Sequence, residues 1–288
     1  MRLAAAFALA VAVAAGSLAA CKRSTAAGPK APTVSAITVT LAPRPVGLRW
    51  VETDDSRMEV ELRHGARTAW VGTRRHHRTE LEILEVDAAG VVTKLAVTYR
   101  EREDEDSGPE PGATQAKRSA LAGKAYVVGV VDGKVTATRA EGGRVSDAEL
   151  RELTADHDDV GTVPAMDEIL ARTWQLGVTV DLTADELSRL AAGTRADAPR
   201  MTFASFTLRE VRGDEAELAM RTRMQSSGRT SMTIDANGAV VIDLRTGWPR
   251  SVSLGGAVNG TIAGMPISGN IKSTQVMTVL APGTAPPP

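Results

Sequence analysis

The chain contains one cysteine, Cys21, among 288 residues. No intrachain disulfide can form, so burial and hydrogen bonding must hold the fold. Aromatic side chains are scarce: 4 Trp, 2 Tyr and 3 Phe. So few rings argue against a surface built on base stacking and, more weakly, against sugar-stacking sites. An excess of charge of one sign is missing too. The 34 Lys+Arg and 35 Asp+Glu nearly cancel, to a formal −1, and leave no electrostatic footprint for nucleic acid. No Gly-x-Ser-x-Gly, His-Glu-x-x-His, phosphate-loop or dinucleotide fingerprint occurs. Paired carboxylates leave no such signature, but nothing in the sequence gives a specific reason to propose an enzyme or a cofactor. The expectation is a non-enzymatic protein with no cofactor and no metal.

What is present begins at the N-terminus. Arg2 precedes an apolar run from Leu3 to Ala15, and Gly16-Ser17 leads into Leu18-Ala19-Ala20-Cys21. A charged start, a short apolar segment and small residues before a cleavage point make a secretory signal. Read as a transmembrane helix, the stretch is only marginally long enough and is mostly alanine, which gains little in lipid. The segment Leu18–Cys21 resembles the lipobox of bacterial lipoproteins. That resemblance implies cleavage between Ala20 and Cys21, a diacylglycerol on the Cys21 sulfur, and usually acylation of the new amine. Each buried methylene contributes about 0.8 kcal/mol, so two or three chains anchor far more firmly than one. Lys22 is not the aspartate that typically retains such proteins at the inner membrane. In a two-membrane host the resemblance therefore favours the outer membrane, facing the periplasm, with the membrane itself as a partner through the N-terminal lipid.

Composition then divides the chain. Residues 21–33 read as a lipid-anchored flexible tether, small, polar and proline-bearing. Residues 282–288 form a proline-rich tail that cannot join a sheet. Between them, residues 34–281 read as one β-rich domain. Strand alternation is clear at 57–63, where Met58, Val60 and Leu62 alternate with charged residues. Residues 78–101 read as a long hairpin turned by Asp87-Ala88-Ala89-Gly90. Residues 102–123 read as a solvated acidic loop carrying Glu103-Asp104-Glu105-Asp106. A short hairpin follows, 125–131 and 134–139, around Asp132-Gly133.

A helical insert is expected at about 146–192. Ser146-Asp-Ala-Glu149 and Thr183-Ala-Asp-Glu186 have capping-box form. Leu150 and Leu153 are expected on the buried side of the first helix, and Pro164 suits the first turn of a second. Residues 174–182 read as one short strand. The last third is again β, with a long hairpin over 201–224, a short one over 231–245 turned by Ala236-Asn237-Gly238, and another over 248–280. The repeated layout, about 57–145 and 201–280, raises an internal duplication that one sequence does not separate from generic hairpins.

Two clusters invite a chemical reading. His76 and His77 are adjacent on a strand and must face opposite ways, so they cannot chelate one ion together. They read as a solvated basic strand end. Asp156-His157-Asp158-Asp159 reads as a helix-end loop with exposed acids. The glycines at 255, 256, 260, 264 and 269 read as bulges and tight turns of an antiparallel sheet.

The fold class expected is α+β, mainly antiparallel, with hairpin meanders forming a curved sheet or half-barrel. In layout the chain resembles the half-barrel lipoprotein carriers of the LolA and LolB type. It also resembles β-rich envelope families with a Trp-bearing segment after the insert, here Trp174-Gln-Leu-Gly177. The resemblance implies a curved sheet that shelters a lipid or another amphiphile. The inward set Leu95, Val97, Leu218, Met220 and Ile242 would then line an apolar space. A module that binds another envelope protein stays open beside it.

Overall fold

The structure is a computed structural model, which describes residues 35–64, 67–108, 114–191, 199–226 and 230–281. The signal, the lipobox with Ala20 and Cys21, the tether and the proline-rich tail lie outside these residues. The architecture is α+β and mainly antiparallel, a large curved sheet with three short helices among the described residues, as the alternation predicts. A small sheet pairs β1 (Ala36–Thr38) with β8 (Thr173–Gln175).

The large sheet has twelve strands. Its N-terminal half runs through β2 (Arg49–His64), β3 (Arg67–Val86), β4 (Val92–Ser107), β6 (Ala125–Val131) and β7 (Lys134–Arg139), with β5 (Thr114–Arg118) against β4. Its C-terminal half runs through β9 (Thr179–Asp181), β10 (Arg200–Arg212), β11 (Glu215–Ser226), β12 (Thr230–Asp243), β13 (Pro249–Ile262) and β14 (Met265–Val279). The halves join where β14 pairs antiparallel with β2, from Ile267 opposite Leu62 to Val279 opposite Trp50. The helices are α1 (Asp147–Asp156), α2 (Ala165–Leu170) and α3 (Ala184–Ala191).

The turn at Asp132-Gly133 has the positive φ values, 51° and 72°, that a two-residue hairpin turn demands. Ser146 caps α1, and Glu149 reaches back to the Ser146 backbone as a capping box requires. Thr183 and Glu186 make the same reciprocal bonds at α3. Pro164 takes the N-cap position of α2.

Several expectations are corrected. Residues 103–106 are not a loop. They continue β4, with Arg74, Arg75 and His76 opposite Glu105, Asp104 and Glu103, and opposite charges across strands let an acidic run sit in a sheet. His76 and His77 accordingly lie inside β3 and not at a strand end. Ala236-Asn237-Gly238 is no turn, because β12 runs straight through it. A Cβ on Gly238 would lie 1.8 Å from the Ser253 carbonyl oxygen on β13. Gly256, Gly260 and Gly269 likewise sit inside strands against neighbouring carbonyls, while Gly264 does turn a hairpin. Glycine serves here for close approach in a curved sheet. The short hairpin expected at 231–245 is thus a single strand. Residues 174–182 form two strands in different sheets, β8 and β9. Leu150 is exposed, and the buried side of α1 is Glu149, Leu153 and Asp156.

The helices cover one face of the sheet, and the apolar side chains there gather into two clusters. The first cluster draws on β10–β14, the far end of β2, α2 and α3, around Trp174 and Phe206. The second draws on β3, β4, β6 and α1, around Tyr99, Tyr126, Leu121 and Leu153. Single strands pass from one cluster to the other. Along β2, Trp50 belongs to the second, Met58 and Val60 to the first, and Glu52, Asp54 and Ser56 fall between them.

Candidate functional site

Those intervening residues belong to a polar band that crosses the sheet. Asp54 stands opposite Gln275, and Ser56 opposite Ser273. Beside them on β3, Arg75 and His77 both reach Asp104 on β4, at 3.4 Å and 2.9 Å. The Asp54 Oδ1 and Gln275 Oε1 atoms are sealed from solvent without a hydrogen-bond donor in the structure. Burial raises the Asp54 carboxyl to about 6, against the opposing pull of His77 and Arg75.

The band continues into a network under α1. Tyr99 donates its hydroxyl proton to Asp156 Oδ2 at 3.0 Å, which leaves the hydroxyl oxygen to accept from His157 Nε2 at 3.0 Å. Arg102 also binds Asp156. The acids of Asp156–Asp159 are therefore not a uniformly exposed loop. Asp156 and His157 are buried, because Tyr99 and Arg102 supply partners that a single sequence does not reveal. On the opposite face, His76 bridges Asp55 at 2.6 Å and Glu101 at 2.8 Å, and the bond to Asp55 foremost raises its pKa. Among the described residues no cluster of three or more His, Cys, Asp or Glu has metal-binding geometry.

At one edge of the band, where the two clusters part, lies a cavity of about 250 Å³. Trp50 and Glu52 enter it from β2, Leu81 from β3, and Val92 and Leu95 from β4. The loop after α1 contributes His157, Val160 and Val163, while α2 contributes Asp167. Leu41–Arg44, Trp248 and the turn residues Ala89–Val91 add to the wall. Val163, 43% exposed, marks the mouth.

Two glycines hold these walls in place. Gly161, at φ +87°, donates to the Val92 carbonyl at 2.8 Å and ties the loop after α1 to β4. Gly247, at φ +73°, lies under the Leu41–Arg44 loop, where a Cβ would stand 2.4 Å from the Thr40 carbonyl oxygen. That close approach lets Ala42 accept from Trp248 Nε1 at 3.0 Å. It also lays the Arg44 guanidinium 5.6 Å from the centre of the Trp248 ring, within cation–π range.

Arg44 also binds Asp167 Oδ2 at 2.5 Å. The Asp167 side chain is only 4% exposed, and its second oxygen, Oδ1, has no donor in the structure. Leaving such an acceptor buried and unmatched costs about 1–3 kcal/mol, more when it is charged. Trp50 Nε1 donates to Glu52 Oε1 at 2.9 Å, and Thr162 Oγ1 donates to the Asp159 carbonyl at 2.9 Å.

The five inward residues singled out in the sequence are all buried, but they divide between the clusters. Leu95 and Val97 lie in the second; Leu218, Met220 and Ile242 lie in the first. Only Leu95 reaches the cavity. The other four pack against neighbouring side chains at 1% exposure or less. The cavity's own key residues, Arg44, Trp50, Asp167 and Trp248, carry no local motif. Two of them come from loops, and only the tertiary fold brings the four together.

No protein-family model matches the chain. No curated protein matches it either. Among solved structures, one of lipovitellin, titled for its lipid–protein interactions, is similar over 84% of this chain and 26% of its own, at 10% identity and a TM-score of 0.41. The chain thus spans about a quarter of that protein's length.

Proposed function

We propose that the chain is a lipid-anchored protein of the bacterial envelope that holds a small amphiphile, or one apolar chain of a larger lipid, in the cavity beside its second core. The anchor rests on the likeness of Leu18–Cys21 to a lipobox. The binding role rests on one observation. The covered face holds a cavity that is walled by Trp50, Trp248, Leu81, Leu95 and Val160 and edged by a few polar groups. Small-molecule sites commonly have this make-up, with volumes of about 300–1,000 Å³. At about 250 Å³ the cavity suits one chain and not a whole two-chain lipid. Binding is favoured over turnover because the Thr162 hydroxyl is spent on a backbone carbonyl and His157 on Tyr99.

The test uses the full-length, detergent-extracted protein and a C12 chain brominated near its end, which quenches nearby tryptophans. Trp50 and Trp248 flank the cavity, while Trp70 is exposed on β3 and Trp174 is buried in the first core. Saturable quenching should occur in the wild type. Val163→Phe at the mouth should weaken it at least tenfold with an unchanged melting temperature. Quenching that never saturates, or that Val163→Phe leaves unaltered, would remove the cavity as the site.

A second reading, a module that docks another envelope protein, is favoured by one feature. Val97, Leu218, Met220 and Ile242 are packed in the two cores and do not line an open trough. A native mass spectrum of the extracted protein with a bound polypeptide and no extra lipid would select it.

A further inference from the structure

We infer that Trp50 and Trp248 set the length of chain that this cavity accepts, and that the ligand's polar end stays at the mouth. The inference rests on the binding reading above and adds the residues that fix its specificity. Four residues, Arg44, Trp50, Glu52 and Trp248, line both the cavity and a second space of about 20 Å³. A residue that borders two spaces stands between them, so these four form a partition. Leu48, Met277 and Val279 line the second space alone, and Val279 is 49% exposed. Val163, at the mouth, lines only the first. The second space has room for about one water and for no run of methylenes.

The partition is held in place. Both tryptophans are buried, and each indole N–H has its acceptor. Trp50 Nε1 donates to Glu52 Oε1 at 2.9 Å, and Trp248 Nε1 to the Ala42 carbonyl at 3.0 Å. Arg44 lies over the Trp248 ring and is itself fixed by Asp167. Rings tied at the N–H, and in one case across the face, do not swing aside freely. The ligand's orientation follows from solvation. A headgroup buried without hydrogen-bond partners is penalised, whereas a chain gains by leaving water. The polar end therefore stays at the mouth, and the chain runs inward along Leu81, Leu95 and Val160 until it meets the indoles. Each methylene that enters improves affinity about fourfold, and one that cannot enter adds nothing.

Displacement of the brominated chain by primary alcohols from C6 to C16 tests the inference. The full-length protein is kept in a sterol-based detergent, which brings no alkyl chain of its own. In the wild type, affinity should rise about fourfold per methylene and then level off within the series. Trp248→Leu, with Trp50 still reporting, should move that limit longer by two carbons or more, because it joins the two spaces. Val279→Phe, which fills the second space, should leave the wild-type limit where it is and cancel the gain of Trp248→Leu. Affinity that climbs evenly to C16 overturns the partition and leaves the cavity reading standing. So does a wild-type limit that Val279→Phe shortens, or one that Trp248→Leu leaves unmoved in a protein that still binds the probe. If no alcohol competes and the brominated chain never binds, both fall. The wild-type series and Val279→Phe decide the matter even if Trp248→Leu proves unstable.

Discussion

The two cores share one sheet but differ in their balance of forces, the first mainly apolar with Arg172–Glu186 and Arg44–Asp167 as its carboxylate joints, the second resting on a larger carboxylate hub. In the first, α2 and α3 dock through Met166, Ile169, Leu170 and Leu190, and Trp174 meets Phe206 edge-on at 6.1 Å. In the second, α1 docks through a leucine set between two carboxylates. Lys124, Tyr126 and Arg139 converge on Glu149 Oε1 at 2.7–2.9 Å, while Arg102 and Tyr99 take Asp156. Apolar burial is indifferent to pH, and a carboxylate hub is not. The bonds from Lys124, and next from the Ser146 backbone, hold the Glu149 carboxyl far below the usual range. The difference teaches that a helix can be fixed to a sheet by polar side chains when every one of them finds a partner, and that such a joint carries a pH limit.

The sharpest way to break the contrast is at Trp174, which is fully buried. Trp174→Ala should cost about 3–5 kcal/mol by lost burial and the cavity left behind. Hydrogen exchange should quicken in β10–β12 well before β4 and β6. Equal loosening of both cores would show that they melt as one.

Glu149→Gln should cost less, about 2–3 kcal/mol, because the amide keeps the shape and the half-exposed Lys124 and Arg139 can turn to water. Loosening should now start at α1 and β6. In the wild type the stability from Glu149 is complete above its unfolded pKa near 4.5 and is lost as pH falls below it. Acid melts followed by circular dichroism should therefore be flatter in the variant.

The smallest effect expected, and one of opposite sign, lies in the band between the cores. Burial lifts the Asp54 carboxyl from its ordinary 3.8 to about 6 in the folded protein. Between those values the folded protein holds a proton that the unfolded chain releases, so stability falls as pH rises from about 4 to 6. His77 and Arg75 temper the cost, and Glu52 and Asp55 add to it. Asp54→Asn should gain about 1–2 kcal/mol at pH 7, a discounted share of that shift, and flatten this part of the profile. A variant no more stable than wild type at pH 7 would mean that Asp54 is already satisfied in solution.

Much of this arrangement was legible where local chemistry decides the outcome. The alternation of Met58, Val60 and Leu62, the Asp132-Gly133 turn and both capping boxes each need only neighbouring residues. What failed was whatever a partner strand decides. Asn237-Gly238 has turn chemistry, but β11 and β13 flank it on both sides and keep it extended. Glu103–Asp106 has loop chemistry until Arg74–His77 lies across from it. That match was available, since extending the register of the 78–101 hairpin by five residues sets one charge run against the other. Leu150 was expected inside on hydrophobicity alone, and Glu149 took the place because three donors awaited it. The cavity had no such signal.

The seam between β14 and β2 has a consequence for how the molecule comes into being. It joins the last strand of the chain to one of the first, across more than 200 residues. Until β14 is made, the sixteen-residue β2 has one unpaired edge, an open template for another chain. Closing so long a loop is slow compared with forming the hairpins on either side. The hairpins on either side are therefore expected to form before this one pairing closes. Both cores depend on that pairing, since β2 lends Trp50 to one and Met58 and Val60 to the other.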